Sequence, residues 1–200
     1  MPDGSLEAAD RISPSVVKIL RGAVDAIAAR GAKRLSMSDI IEASGVSRGT
    51  LYRYFSTKED VLAAVMEFIC VGYENGIRDA GAGIDDPVER LRQVMLFYGR
   101  YTEKHSRDRV FEVEPHFHLA FFRNRFVRYN AVLLDTLAPT FDHLDRLIGK
   151  PVDRYGFCET LVRLQLSTLL VPTDDNFRKR WEAAPDAIER WAVDLARQQC

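Results

Sequence analysis

At 200 residues, with 46% hydrophobic and 28% charged side chains and a net charge of −1, the chain has the composition of an ordinary globular protein of one or two domains. No apolar run reaches the roughly 18 residues of a membrane helix, the acidic start Met1–Asp10 does not read as a signal peptide, and the odd, scattered Cys70, Cys158 and Cys200 suggest neither a disulfide framework nor a zinc site, so a cytoplasmic protein is expected. The charge is uneven: residues 11–58 carry nine bases and three acids, a net +6, against −3 in the first ten residues and −4 in 59–200, which points to a polyanionic partner for one end only.

Strand signals are scarce and helical spacing recurs along the chain. Ser13-Pro14 has the form of an N-cap followed by proline at the first helical position, and Val17, Leu20, Val24 and Ile27 repeat at helical intervals up to Gly31. Ser36 with Asp39 three residues on predicts a capping box and a helix over 37–43. Gly45 breaks it, Ser47 caps a helix over 48–54, and Thr57 with Asp60 opens another that is expected to run to about Gly76. The Gly- and Asp-rich stretch 76–86 reads as a connection. Pro87 opens a further helix. A long aromatic helix over about 117–137 follows, ended or kinked by Pro139 and continued to Ile148. After Gly149-Lys150-Pro151, helices are expected over 152–171 and about 185–198. The fold class is therefore all-α, with about nine helices.

Two short helices flanking Gly45-Val46-Ser47 form a helix-turn-helix. Glycine reaches the left-handed conformation of such a turn without steric cost. Ile40, Val46 and Leu51 are spaced to meet inside the corner. Ser47, Arg48, Gly49, Thr50 and Tyr52 then form an outer face of short, polar or flat side chains that can approach a DNA major groove.

Gly45-Val46-Ser47, Thr50-Leu51-Tyr52, Tyr54-Phe55 and Lys58 together resemble the N-terminal domain of TetR-type repressors over roughly 21–65. Two positions differ from the usual pattern: Ile41 stands where a small residue is usual, and Ser44 where alanine is common. The resemblance implies a DNA-binding domain at 12–58, a connecting helix at 58–76 and a ligand-sensing, dimerising domain at 77–200. It implies that Arg48 and Thr50 face bases or nearby phosphates, that Gly49 admits close approach, and that Tyr52 meets a phosphate or a thymine methyl. Tyr54 and Lys58 would hold the DNA backbone, with Ser36, Ser38 and Ser47 as further phosphate donors. The partner implied is double-stranded operator DNA bound by a homodimer.

For the remainder, Leu161, Leu164, Ile188, Trp191 and Leu195 are more apolar surface than a small body needs, and two such helices per subunit suit a dimer interface. Periodicity alone reads them equally as core. Phe97, Tyr101, Phe117, His118, Phe121 and Phe122 belong to an aromatic set that suits a pocket for a small, mostly apolar effector, or simple packing. Glu112, Glu114, His116 and His118 alternate as metal ligands on an extended segment would, but on a helix they diverge, so no metal and no cofactor is expected. Walker, dinucleotide, HExxH and GxSxG motifs are absent, which disfavours an enzyme. A nonspecific architectural DNA-binding protein would call for a larger positive charge.

Overall fold

A computed structural model of the chain describes residues 13–106, 115–171 and 175–198, and the side chains of all of these except 104–121, 169–170 and 175–178. Nine helices and no strand are present among the described residues. They are α1 (Pro14–Arg30), α2 (Met37–Ser44), α3 (Arg48–Tyr54), α4 (Lys58–Gly81), α5 (Pro87–Ser106), α6 (Pro115–Thr136), α7 (Ala138–Ile148), α8 (Arg154–Leu170) and α9 (Asp175–Gln198). No described helix is long and apolar enough to cross a membrane. The chain divides into two compact units. Of the described residues, one holds 13–71 with 115–121, and the other holds 72–106, 122–171 and 175–198.

The first unit closes around Ile19, Leu20, Ala23 and Ile27 of α1, Ile40 of α2, Leu51 of α3 and Val61 and Val65 of α4, all buried. Its tightest crossing joins α1 to α2. A Cβ on Gly22 would lie 2.5 Å from both the Cα and the nitrogen of Ser44, so only glycine allows this approach. Ser44 is itself buried, and its hydroxyl donates to the Ile40 carbonyl of its own helix at 2.6 Å. Ile41 is half-buried and packs against the same core. Cys70 is fully buried in α4.

In the second unit α5 packs against α7, α8 and α9, and α7 packs against α9. Polar groups fix these contacts where the interior would leave them unsatisfied. Gln165 of α8 donates to the Tyr98 carbonyl at 3.2 Å and to the Thr102 hydroxyl at 2.9 Å. Trp181 of α9 donates its indole N–H to the Met95 carbonyl at 2.7 Å. Cys158 of α8 is fully buried, and desolvation pushes its thiol up to about 12.

Three sequence expectations need correction. Ser13 stands at the N-cap of α1, but its side chain makes no capping bond. The connecting helix does not stop at Gly76; it continues to Gly81, because glycine lowers helix propensity without forbidding helix, and Gly76 is held against the Phe97 ring. The last helix starts at Asp175, ten residues before the expected Pro185, which lies inside it. Proline lacks the N–H that would bond the carbonyl four residues back. Beside that gap, the Glu182 carbonyl accepts a hydrogen bond from Arg92 Nη1 at 3.0 Å, and Arg92 also pairs with Asp186, so α5 supports the interrupted turn.

Candidate nucleic-acid interface

The helix-turn-helix is set by local hydrogen bonds. At the start of α2 the Ser36 hydroxyl accepts from the Asp39 N–H at 3.2 Å, while Asp39 Oδ2 accepts from the Ser36 N–H at 2.9 Å and from its hydroxyl at 2.7 Å. These bonds, with the Arg30 guanidinium alongside, hold the Asp39 carboxyl below its ordinary range. Gly45 ends α2 with φ 62° and ψ 21°, the left-handed turn expected of it. Ser47 caps α3 by accepting from the Thr50 N–H at 3.1 Å, and its hydroxyl pairs with that of Thr50 at 2.8 Å. Thr57 and Asp60 form a reciprocal pair at the start of α4, at 2.9 and 3.1 Å, and Asp60 too is held below its ordinary value, chiefly by the Thr57 hydroxyl.

α3 buries Leu51 completely and leaves Arg48, Gly49, Tyr52 and Arg53 exposed, with Thr50 half-buried. A Cβ on Gly49 would meet only the Ser47 hydroxyl, at 4.0 Å, so this side of the helix is open to close approach. The Arg48 guanidinium lies 5.3 Å from the Tyr52 ring centroid, and that of Arg53 lies 4.8 Å from the Tyr54 ring. No carboxylate among the described residues pairs with either arginine, in contrast to Arg30, which pairs with Asp39 and Glu42. Ser36 and Ser38 are exposed, and half-buried Lys58 reaches the Lys33 carbonyl at 3.4 Å.

The Tyr54 hydroxyl is engaged twice, by Ser13 Oγ at 3.0 Å and by Arg53 Nη2 at 3.2 Å. Ser13 first, then Arg53, hold its pKa below the ordinary tyrosine value. Neither Ser13 nor Arg53 figured among the expected contact residues. Arg53 is five positions from Arg48, roughly 140° around a helix, and so falls off the face on which Arg48 and Tyr52 align. Ser13 lies 41 residues from Tyr54, beyond any local pattern.

In the second unit, Phe97 and Tyr101 are half-buried and join Tyr73, Tyr98 and Tyr129 in one aromatic wall, with Tyr73 4.8 Å from both Tyr101 and Tyr129 between ring centroids. Tyr98 is fully buried. Burial holds the hydroxyls of Tyr73 and Tyr98 well above 10, so both stay neutral. Phe122 is half-buried. Phe117, His118 and Phe121 lie in α6, with side chains outside those described. Among the described residues no three His, Cys, Asp or Glu side chains group as a metal site, while Glu112 and Glu114, and the side chains of His116 and His118, lie outside them.

The five expected interface residues line one apolar groove of about 820 Å³ that α8 and α9 border. Leu161 is buried at its floor, Ile188 and Leu195 are half-buried, and Leu164 and Trp191 are exposed, the latter by 60%.

The sequence model described as "Bacterial regulatory proteins, tetR family" matches residues 19–65. An uncharacterized HTH-type transcriptional regulator of Bacillus subtilis (strain 168), YvdT, is 40% identical over 50 residues, which are 25% of this chain and 26% of that protein. The chain thus aligns with only about a quarter of the curated relatives it matches. Over most of its length it shares a fold with a gamma-butyrolactone receptor (ArpA like protein), with a TM-score of 0.58, 20% identity and coverage of 92% of this chain and 95% of that chain. It also shares one with the TetR family transcriptional regulator PfmR of Thermus thermophilus, at TM-score 0.57, 21% identity and coverage of 86% and 97%.

Proposed function

We propose that the chain, whose residues 19–65 match the tetR family of bacterial regulatory proteins, is a transcriptional repressor that binds a palindromic operator as a homodimer and is released by a small, mostly apolar effector. That match favours a regulator over the helical enzyme. The observation that carries the reading is the outer face of α3: Arg48, Gly49 and Tyr52 stand exposed over a fully buried Leu51, and Arg48 has no carboxylate partner among the described residues. Such a face is rigidly based, and no carboxylate competes for its arginine, as base readout requires.

The groove bordered by α8 and α9 is the surface we assign to the second copy. The aromatic wall around Phe97 and Tyr101 is where we place the effector. α4 begins at Lys58 and carries Tyr73 into that wall as one continuous helix, so a ligand that prefers a different packing of Tyr73 has a stiff element through which to act. It can act only by its differential affinity for the two states. A coupling of about 1–3 kcal/mol changes operator affinity about 5- to 150-fold, and operator must weaken the effector by the same factor.

The test is selection of duplexes from a random library by the full-length protein, followed by binding across a salt series. A palindrome whose half-sites lie about one helical turn apart, roughly 34–36 Å, is expected, with affinity falling steeply as salt rises. Binding without sequence preference would instead support the architectural protein.

A further inference from the structure

Ser13 occupies an N-cap position yet does not cap its helix; its hydroxyl meets that of Tyr54 instead. Arg53 stacks on the Tyr54 ring and donates to the same hydroxyl. Arg53 is exposed and has no carboxylate partner among the described residues.

We propose that Ser13, Arg53 and Tyr54 form one pre-assembled clamp for a backbone phosphate of DNA, in which Arg53 supplies the charge and Ser13 holds the phenol in place. This rests on the DNA-binding reading above and adds two residues to it.

A guanidinium has five N–H donors, and one on Tyr54 leaves others for a phosphate oxygen. When the phenol oxygen accepts from Arg53, its own hydrogen is free to donate, and the adjacent positive charge makes it a stronger donor. Ser13 pins that hydroxyl before DNA arrives, so less rotamer freedom is lost on binding. The helical angle of roughly 140° between Arg48 and Arg53 separates the two arginines by task. If Arg48 faces base edges, Arg53 faces the strand that borders the groove. A phosphate contact carries no sequence information, so its loss must weaken all duplexes alike.

The experiment uses the full-length protein and two duplexes of about 30 base pairs, one selected by the wild type and one unrelated, each titrated over a salt series. Arg53→Gln should weaken both by a similar factor, about tenfold near physiological salt, and should lower the slope of log affinity against log salt by about one. Arg53→Lys should restore the slope while recovering only part of the affinity, because an ammonium lacks the planar fork that stacks on Tyr54. Ser13→Ala should leave the slope unchanged and cost a few-fold in affinity. That cost should disappear in a Tyr54→Phe background, which marks Ser13 as a positioning residue acting through the phenol. Thermal melting of each variant checks the fold, and Ser13→Thr, which keeps the hydroxyl, separates loss of the bond from damage to α1.

Unchanged affinity and slope in Arg53→Gln overturn the clamp, and so does a loss confined to the selected duplex, which would make Arg53 a base reader. Additive Ser13 and Tyr54 effects remove the positioning role. If the wild type binds neither duplex, the DNA-binding reading falls with the clamp; if it binds both and Arg53→Gln binds equally well, the clamp alone falls.

Discussion

Arg48 and Lys58 are expected to fail differently when truncated. Arg48 stands exposed at the first position of α3, and its Ala variant should cost about 1–3 kcal/mol of operator affinity and relax preference at one base position. Lys58 sits half-buried in the first turn of α4, and Lys58→Ala should weaken every sequence alike. Competition titrations over a set of single-base operator variants separate the two, and equal specificity in wild type and Arg48→Ala would misplace the reading face. A second residue-scale prediction concerns acid. Asp39 has a folded pKa below its unfolded value of about 3.9, so its contribution is fully present above that value and is lost as pH falls through the lower, folded one. Thermal unfolding between pH 6 and pH 2.5 should show a smaller acid-induced loss in Asp39→Asn than in wild type. Capping residues such as Ser36, Ser47 and Asp60 were legible in the sequence because their partners lie three positions away. The Ser13–Tyr54–Arg53 cluster was not, because a tertiary contact set its geometry.

Between elements, the α1–α2 crossing governs how α3 is presented. Gly22→Ala would drive a Cβ into backbone atoms of Ser44, which no rotamer change can relieve. We expect a loss of about 1–3 kcal/mol, measured by denaturant unfolding, and weaker DNA binding even where the variant is still folded. A wild-type midpoint for Gly22→Ala would show that this crossing has slack. Serine at 44, where the TetR-type pattern commonly has alanine, is compatible with the same close approach because its hydroxyl turns back onto the Ile40 carbonyl. Helix existence was readable almost throughout, since the 3.6-residue period and the caps agree. Boundaries differ where glycine reads as a stop and proline as a start: Gly76 and Pro185 both lie within helices, supported by contacts from α5, the Phe97 ring and the Arg92 guanidinium. No single-sequence pattern reveals a donor 90 residues away.

For the molecule as a whole, the sequence separated a basic end from an acidic remainder, but could not say which apolar side chains are core and which are surface, because both repeat with the same period. The five residues expected at an interface divide accordingly: Leu161 is buried, whereas Trp191 is open. Trp191→Asp should therefore leave each subunit folded and yield monomers, since a carboxylate would be stranded in an apolar contact. Sedimentation at micromolar concentration reads this, and a monomeric wild type would remove the proposed dimer. The two interior cysteines add a property of their own. Cys70 belongs to the first unit and Cys158 to the second, and both are wholly shielded. Alkylating reagents attack the thiolate, which at pH 7 is roughly 10⁵-fold rarer than the thiol for a pKa of about 12 at Cys158. Each sulfur should then react only when its own surroundings open. With Cys200 replaced by serine, the two labelling rates become separate clocks for the two units, and an effector bound in the second unit should slow the clock at Cys158 by the factor with which it suppresses opening.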